Sequence, residues 1–268
     1  MKKFHLLACL CLCAGLLASC GNKDSSDSTT TTNMEATPES TSVLNTAPTE
    51  KETETDTISE QLQFLVANKE IWLDTSIPYQ YAVTDFNQDG KLEIVRSVCE
   101  GTGIYTTTQI FEVDESISSL IHYERIWEEY HSQADLIVGK ASVYYDKENN
   151  IYHYVFDDLS KNGAAEYYEN KRDWYLQDKK IVENYLAFRT TLYQEAGASV
   201  SITCNDANQE KEITEEEYNQ IADVVFSDLT KMEVSIPWIV KDVTELQNAS
   251  ASDLSQMLSE SWKAFQIQ

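Results

Sequence analysis

An α+β fold, with helices at both ends of the domain and an antiparallel strand meander between them, follows from three observations. Residues 58–73 carry apolar side chains at helical spacing. Residues 79–193 break into short Tyr-, Val- and Ile-rich runs separated by polar turns. Beyond residue 214 the helical period returns behind a capping signal.

The chain opens with Met1, Lys2 and Lys3, followed by an apolar run over residues 6–17. That run is too short to span a bilayer core, which takes about 20 residues, and has the size of a signal-peptide core. It ends in Leu17-Ala18-Ser19-Cys20. The small residues at 18 and 19 suit a peptidase groove, and the Cys20 thiol is the nucleophile that lipidation needs. This box resembles that of bacterial lipoproteins. The resemblance implies that Cys20 becomes the first mature residue and carries a diacylglyceryl group on its sulfur, with acyl chains such as palmitate holding the protein to the membrane on its extracytoplasmic face. Residues 21–58 contain no aromatic residue and are dominated by Ser, Thr, Asp and Glu. They cannot bury enough apolar surface to offset ordering entropy, so they are expected to be a disordered tether. Residues 1–20 are thus read as signal peptide, 21–58 as tether and 59–268 as one domain.

The opening helix buries Ile58, Leu62, Leu65 and Val66 on one face, with Thr57 or Ser59 as its cap. Pro78 ends any helical path. Tyr79, Tyr81 and Val83 then alternate, as do Leu92 and Ile94, which is the period of two expected for strands. Between these runs lies Asp85-Phe86-Asn87-Gln88-Asp89-Gly90-Lys91-Leu92-Glu93. Oxygen-bearing side chains fall at its positions 1, 3, 5 and 9. Gly90 permits the positive φ of a sharp turn, and the Lys91 carbonyl can face inward at position 7. Hard oxygen donors at this spacing suit Ca²⁺, which takes six to eight of them. An EF-hand would need a bidentate Glu at position 12, where this chain has Arg96, and would need helical flanks. The bland alternative is an Asp-Gly hairpin turn, which has no need of four alternating oxygens. Strand–loop–strand with this pattern resembles the calcium loops of FG-GAP and VCBS repeats. The resemblance implies Asp85, Asn87, Asp89, Glu93 and the Lys91 carbonyl as ligands, with Glu93 standing where Asp is more usual. A single copy occurs, so a complete propeller is not expected.

Gly101-Thr102-Gly103 separates this hairpin from a second β run over residues 104–113. It reads either as a tight turn or bulge, or as a loop facing a ligand. Polar turns at residues 146–150 and 177–179 mark the meander that follows. Tyr144, Tyr145, Tyr152, Tyr154, Tyr167, Tyr168, Trp174 and Tyr175 crowd it. Such residues form ordinary cross-strand pairs, or a glycan platform if they share one sheet face. Thr214 and Glu217 make a capping box ahead of Tyr218, Ile221, Val224 and Val225. Pro237-Trp238 marks a break. A last helix over residues 252–265 is expected to bury Leu254, Met257, Leu258, Trp262 and Phe265.

The chain has a formal charge of −25, of which −21 falls in residues 59–268. That charge repels phosphate backbones and excludes nucleic acid as a partner. Of six cysteines, three leave with the signal and Cys20 takes the lipid. Cys99 and Cys204 remain, either as a disulfide or as two buried thiols. No nucleophile elbow, zinc helix, phosphate loop or dinucleotide fingerprint is present. His122, His131 and His153 are scattered. Glu128-Glu129 and Asp157-Asp158 are acidic pairs that suit either solvated faces or a glycosidase. The expectation is a membrane-anchored lipoprotein whose calcium-stabilised, non-catalytic domain binds or scaffolds, with a glycan or protein as ligand. The alternative is a surface-anchored glycan hydrolase using a carboxylate pair. A solute-binding protein fits less well, since two lobes and a hinge are not visible.

Overall fold

A computed structural model describes residues 50–125, 132–206 and 209–268. Cys20 and most of the stretch read as signal and tether lie outside the described residues. The opening helix, α1 (Glu50–Ala67), starts well before residue 58, so part of the stretch assigned to the tether is helical. A one-turn helix, α2 (Lys69–Trp72), continues it, and the Trp72 indole donates back to the Leu65 carbonyl at 2.9 Å.

Two antiparallel sheets follow. The first holds β1 (Gln80–Thr84), β2 (Glu93–Glu100), β3 (Tyr105–Val113) and β4 (Leu120–His122) in sequence order. β1 and β2 pair from Gln80↔Ser97 to Thr84↔Glu93, which makes the predicted strand–loop–strand a true hairpin. The second sheet is built from β5 (Glu124–Arg125), β6 (Ala141–Asp146), β7 (Ile151–Asn162), β8 (Glu166–Gln177), β9 (Lys180–Gln194), β10 (Gly197–Asp206) and β11 (Gln209–Glu212). Next come α3 (Glu215–Val225), β12 (Thr230–Ser235), α4 (Val243–Asn248), α5 (Ala251–Ala264) and β13 (Gln266–Ile267). Strands β12 and β13 complete the second sheet, whose order is β11-β10-β9-β8-β7-β6-β12-β13, with β5 parallel to β9. The β8–β9 hairpin closes through Asp178 and Lys179, both at positive φ (51° and 59°), the primed turn that matches strand twist.

The first sheet is the middle layer. Strand alternation sends Tyr81, Val83, Ile94 and Phe111 toward the helices, where Leu62, Leu65, Leu246, Leu254 and Leu258 complete one core. Ala82, Val95 and Ile110 point the other way, onto Tyr154, Phe156, Trp174 and Ile181 of the second sheet. β1 is therefore buried on both faces, where its sequence suggested one; Ala82 and Thr84 are as inaccessible as Tyr81. Helices α1, α4 and α5, from opposite ends of the domain, thus share one layer, while α3 packs on the second sheet.

Two sequence expectations need correction. In α3 the capping box forms as predicted, with both Thr214–Glu217 bonds present. However, Val224 and Val225 are 64% and 52% exposed, and the buried face is Tyr218 with Ala222. Strands β10 and β11 occupy a stretch too polar to show a strand pattern; β10 pairs with β9 on one side and β11 on the other, and the capped helix α3 packs on β9 and β10.

Candidate functional site

The loop between β1 and β2 is held from three sides. Phe86 plunges into the inter-sheet core, edge-on to Tyr154, Trp174 and Phe265 at ring separations of 4.9, 5.0 and 5.6 Å. The Tyr154 hydroxyl donates to the Phe86 carbonyl at 2.7 Å. From the helical layer, Gln61 donates to the Gly90 carbonyl (2.9 Å) and accepts from the Leu92 amide (2.7 Å). Gly90 itself sits at φ +82°, the left-handed region its position requires.

The acids serve the loop's own backbone. Asp85 accepts from the amides of Asp89 and Gly90, each at 3.0 Å. Asn87 Oδ1 accepts from the Asp89 amide at 3.3 Å, and Asp89 accepts from the Lys91 amide while pairing with the Lys91 ammonium at 3.0 Å. Glu93 is fully buried. Its Oε2 accepts from the Thr84 hydroxyl and the Phe86 amide, both at 2.9 Å, while its Oε1 is buried with no partner among the described residues.

Two carboxylates are thus shut away from water with little cation to balance them. Burial, with the nearby Asp89 charge, pushes Asp85 up to about 6 against the pull of the amides it caps. Burial, then the adjacent Asp85 charge, holds Glu93 well above the ordinary carboxyl range. The donor chemistry suits a hard dication: oxygens only, an unsatisfied Glu93 oxygen and uncompensated negative charge. Among the described residues, no three His, Cys, Asp or Glu side chains already form a metal cage. Asp85 and Asp89 are turned instead to the loop amides and to Lys91.

The other singled-out residues disperse. Arg96 lies over Tyr79 and Phe111 at 5.0 and 5.2 Å from the ring centres, and donates to the Trp72 carbonyl at 2.9 Å. It therefore stands apart from the loop ligands. Cys99 is exposed on β2, whereas Cys204 is buried on β10 beside Ala187 and Tyr218; both are free thiols, so the disulfide weighed from the sequence is not made. His122 stacks on Phe111 and His153 pairs with Asp173. Asp157 and Asp158 are split by strand alternation: Asp157 is exposed against Lys171, and Asp158 is buried against Arg172. Neighbours on one strand cannot face a single glycosidic bond together. Glu128, Glu129 and His131 lie outside the described residues.

Sequence reading missed Gln61 and Thr84. Gln61 lies 29 residues before the glycine it holds, in a helix whose pattern marks only its apolar face. Thr84 is recognisable only once the Thr84↔Glu93 register is known.

No protein-family model matches the sequence, and no curated protein does. Among solved structures, the chain is similar to one described as a Xanthomonas type IV secretion system related protein. That likeness is at 17% identity and a TM-score of 0.30, over 53% of this chain and 63% of that one. Among the described residues, no helix is long and apolar enough to cross a membrane.

Proposed function

We propose that this chain is a lipid-anchored extracytoplasmic lipoprotein whose folded domain is a calcium-stabilised, non-catalytic binding or scaffolding module. The observation that carries the calcium reading is the unpartnered Oε1 of the fully buried Glu93, in a loop whose oxygens follow a calcium spacing. A buried acceptor without a donor costs about 1–3 kcal/mol, and more when charged. A dication removes that cost for Glu93 and Asp85 together. Asp85, Asn87, Asp89, Glu93 and the Lys91 carbonyl would hold it, with the Lys91 ammonium displaced from Asp89. The anchor reading rests on Leu17-Ala18-Ser19-Cys20 behind a short apolar run.

The deciding experiment is a thermal melt of the mature chain in a chelator, then in excess Ca²⁺ or Mg²⁺. At a Ca²⁺ concentration of 100 times Kd the gain is about 2.7 kcal/mol. Mg²⁺ should give far less, because its octahedral demand suits this loop poorly. Asp85→Ala and Glu93→Ala should lose the response and Arg96→Ala should keep it. A melting curve indifferent to chelator and calcium sinks the metal reading. Mass spectrometry of the mature N-terminus checks the anchor separately, since an unacylated Cys20 ends it.

A further inference from the structure

A groove lined by none of the loop's residues draws together two features that the loop's chemistry leaves unused, the Gly101–Gly103 turn and tyrosines of the meander. Two cavities of about 280 and 410 Å³ share the half-exposed ring of Tyr105. Strand alternation builds the floor of the first. Asp158 and Ser160 of β7 lie on one face, opposite Asn170 and Tyr168 of β8 in register, with Arg172 next along. Tyr185 and Phe188 of β9 close the far wall, stacked on each other at 4.6 Å. The second cavity runs from Thr102 and Gly103 to Asn162 and Tyr167. There the Lys161 amide donates to the Gly103 carbonyl at 3.0 Å and ties the glycine turn to the end of β7.

The floor is charged but balanced. Arg172, 3% exposed, donates to Asp158 (2.8 Å), Glu183 (2.7 Å) and the Ser132 carbonyl (2.6 Å), and Arg125 lies 3.8 Å from Glu183. Arg172 and Asp158 line the first cavity, with Arg125 and Glu183 balanced behind them, so neither an anion nor a cation gains much net attraction there. Lys161 is the one charged residue lining the second. One acceptor, on Asp158, and one donor, the Arg172 Nε–H, are left over on this floor among the described residues. Asp158 is 1% exposed and lines the cavity; its Oδ2 is taken by Arg172 and Asn170, while its Oδ1 finds no donor among the described residues. A ligand hydroxyl supplies that donor once the Asp158 carboxyl turns toward the cavity. Tyr105 offers a ring face at the rim, and Ser160, Asn170 and Asn162 offer mixed donors and acceptors. Their combined size falls within the ~300–1,000 Å³ common for ligand sites.

We infer that this groove binds a neutral, hydroxyl-rich chain, an oligosaccharide lying across Tyr105 with one sugar unit over Asp158 and the next against the glycine turn. The inference rests on the binding-module reading and gives it a ligand class.

The test is calorimetric titration of the full lipoprotein in detergent with neutral hexasaccharides (cello-, xylo-, manno- and chitohexaose) and with anionic hexagalacturonate. At least one neutral sugar should bind and hexagalacturonate should not. Tyr105→Ala and Asn170→Ala should each weaken binding at least tenfold. Gly103→Ala should do the same without unfolding, because its new Cβ would lie 2.2 Å from the Tyr105 ring, which has solvent to swing into. No binding of any neutral sugar, a preference for hexagalacturonate, or unchanged affinity in both Tyr105→Ala and Asn170→Ala overturns the inference. Melting with chelator and calcium, recorded on the same samples, separates the two readings. Calcium response without sugar binding sinks the groove alone, and sugar binding without calcium response sinks the metal alone.

Discussion

The Gln61 side chain donates to the Gly90 carbonyl at 2.9 Å while accepting from the amide of Leu92, two residues further on. One amide thus clamps the acidic loop to the helical layer. Gln61→Ala leaves the buried Leu92 amide without an acceptor, at about 1–3 kcal/mol. The loss should appear in chemical denaturation with and without calcium, and hydrogen exchange at Leu92 should accelerate most. If exchange at Leu92 is unchanged, the clamp does not hold the loop.

Calcium-free protein should lose stability as pH rises. A carboxyl whose folded pKa is raised binds its proton more tightly in the native state, so stability is fullest below the unfolded value and falls as pH climbs through the folded one. For Asp85 that window runs from about 4 to about 6, and Glu93 extends it upward. The Asp85 contribution is on the order of 3 kcal/mol. Melting temperatures from pH 4 to 7 should fall in chelator and stay flatter in calcium. Equal slopes in both would show that no ion reaches these carboxylates.

Arg172 should be the most damaging single charge to remove. Truncation strands the buried Asp158 without its cation and leaves the half-buried Glu183 with Arg125 alone. Arg172→Met should cost about 3–5 kcal/mol, the usual effect of breaking a buried pair from one side. Adding Asp158→Asn and Glu183→Gln should recover much of that. A triple variant no more stable than Arg172→Met would mean the network does not act through charge.

The two thiols should differ in reactivity. Cys99 is exposed and should alkylate in the native protein, whereas Cys204 is buried and should react only on unfolding. Mass spectrometry after native and denaturing alkylation reads this out. A protein with neither thiol available after denaturation without reductant would instead contain the disulfide.

What the sequence determined by itself was whatever rests on short-range geometry. A period of two on either side of Asp85–Glu93 was enough to require a hairpin there, and Thr214 with Glu217 was enough to start α3 at the following residue. Both depend on residues within one turn of each other. Tertiary structure decided which faces were covered. Ala82 and Thr84 are buried because a second sheet lies over the first, and the β1 pattern carries no trace of that layer. Val224 and Val225 have helical spacing yet face solvent, because the sheet meets α3 at Tyr218 and Ala222 instead. Asp157 and Asp158 look equivalent in sequence. Strand alternation turned one to water and the other onto Arg172, since a strand sends neighbours to opposite faces and only the packed fold decides which face is inside.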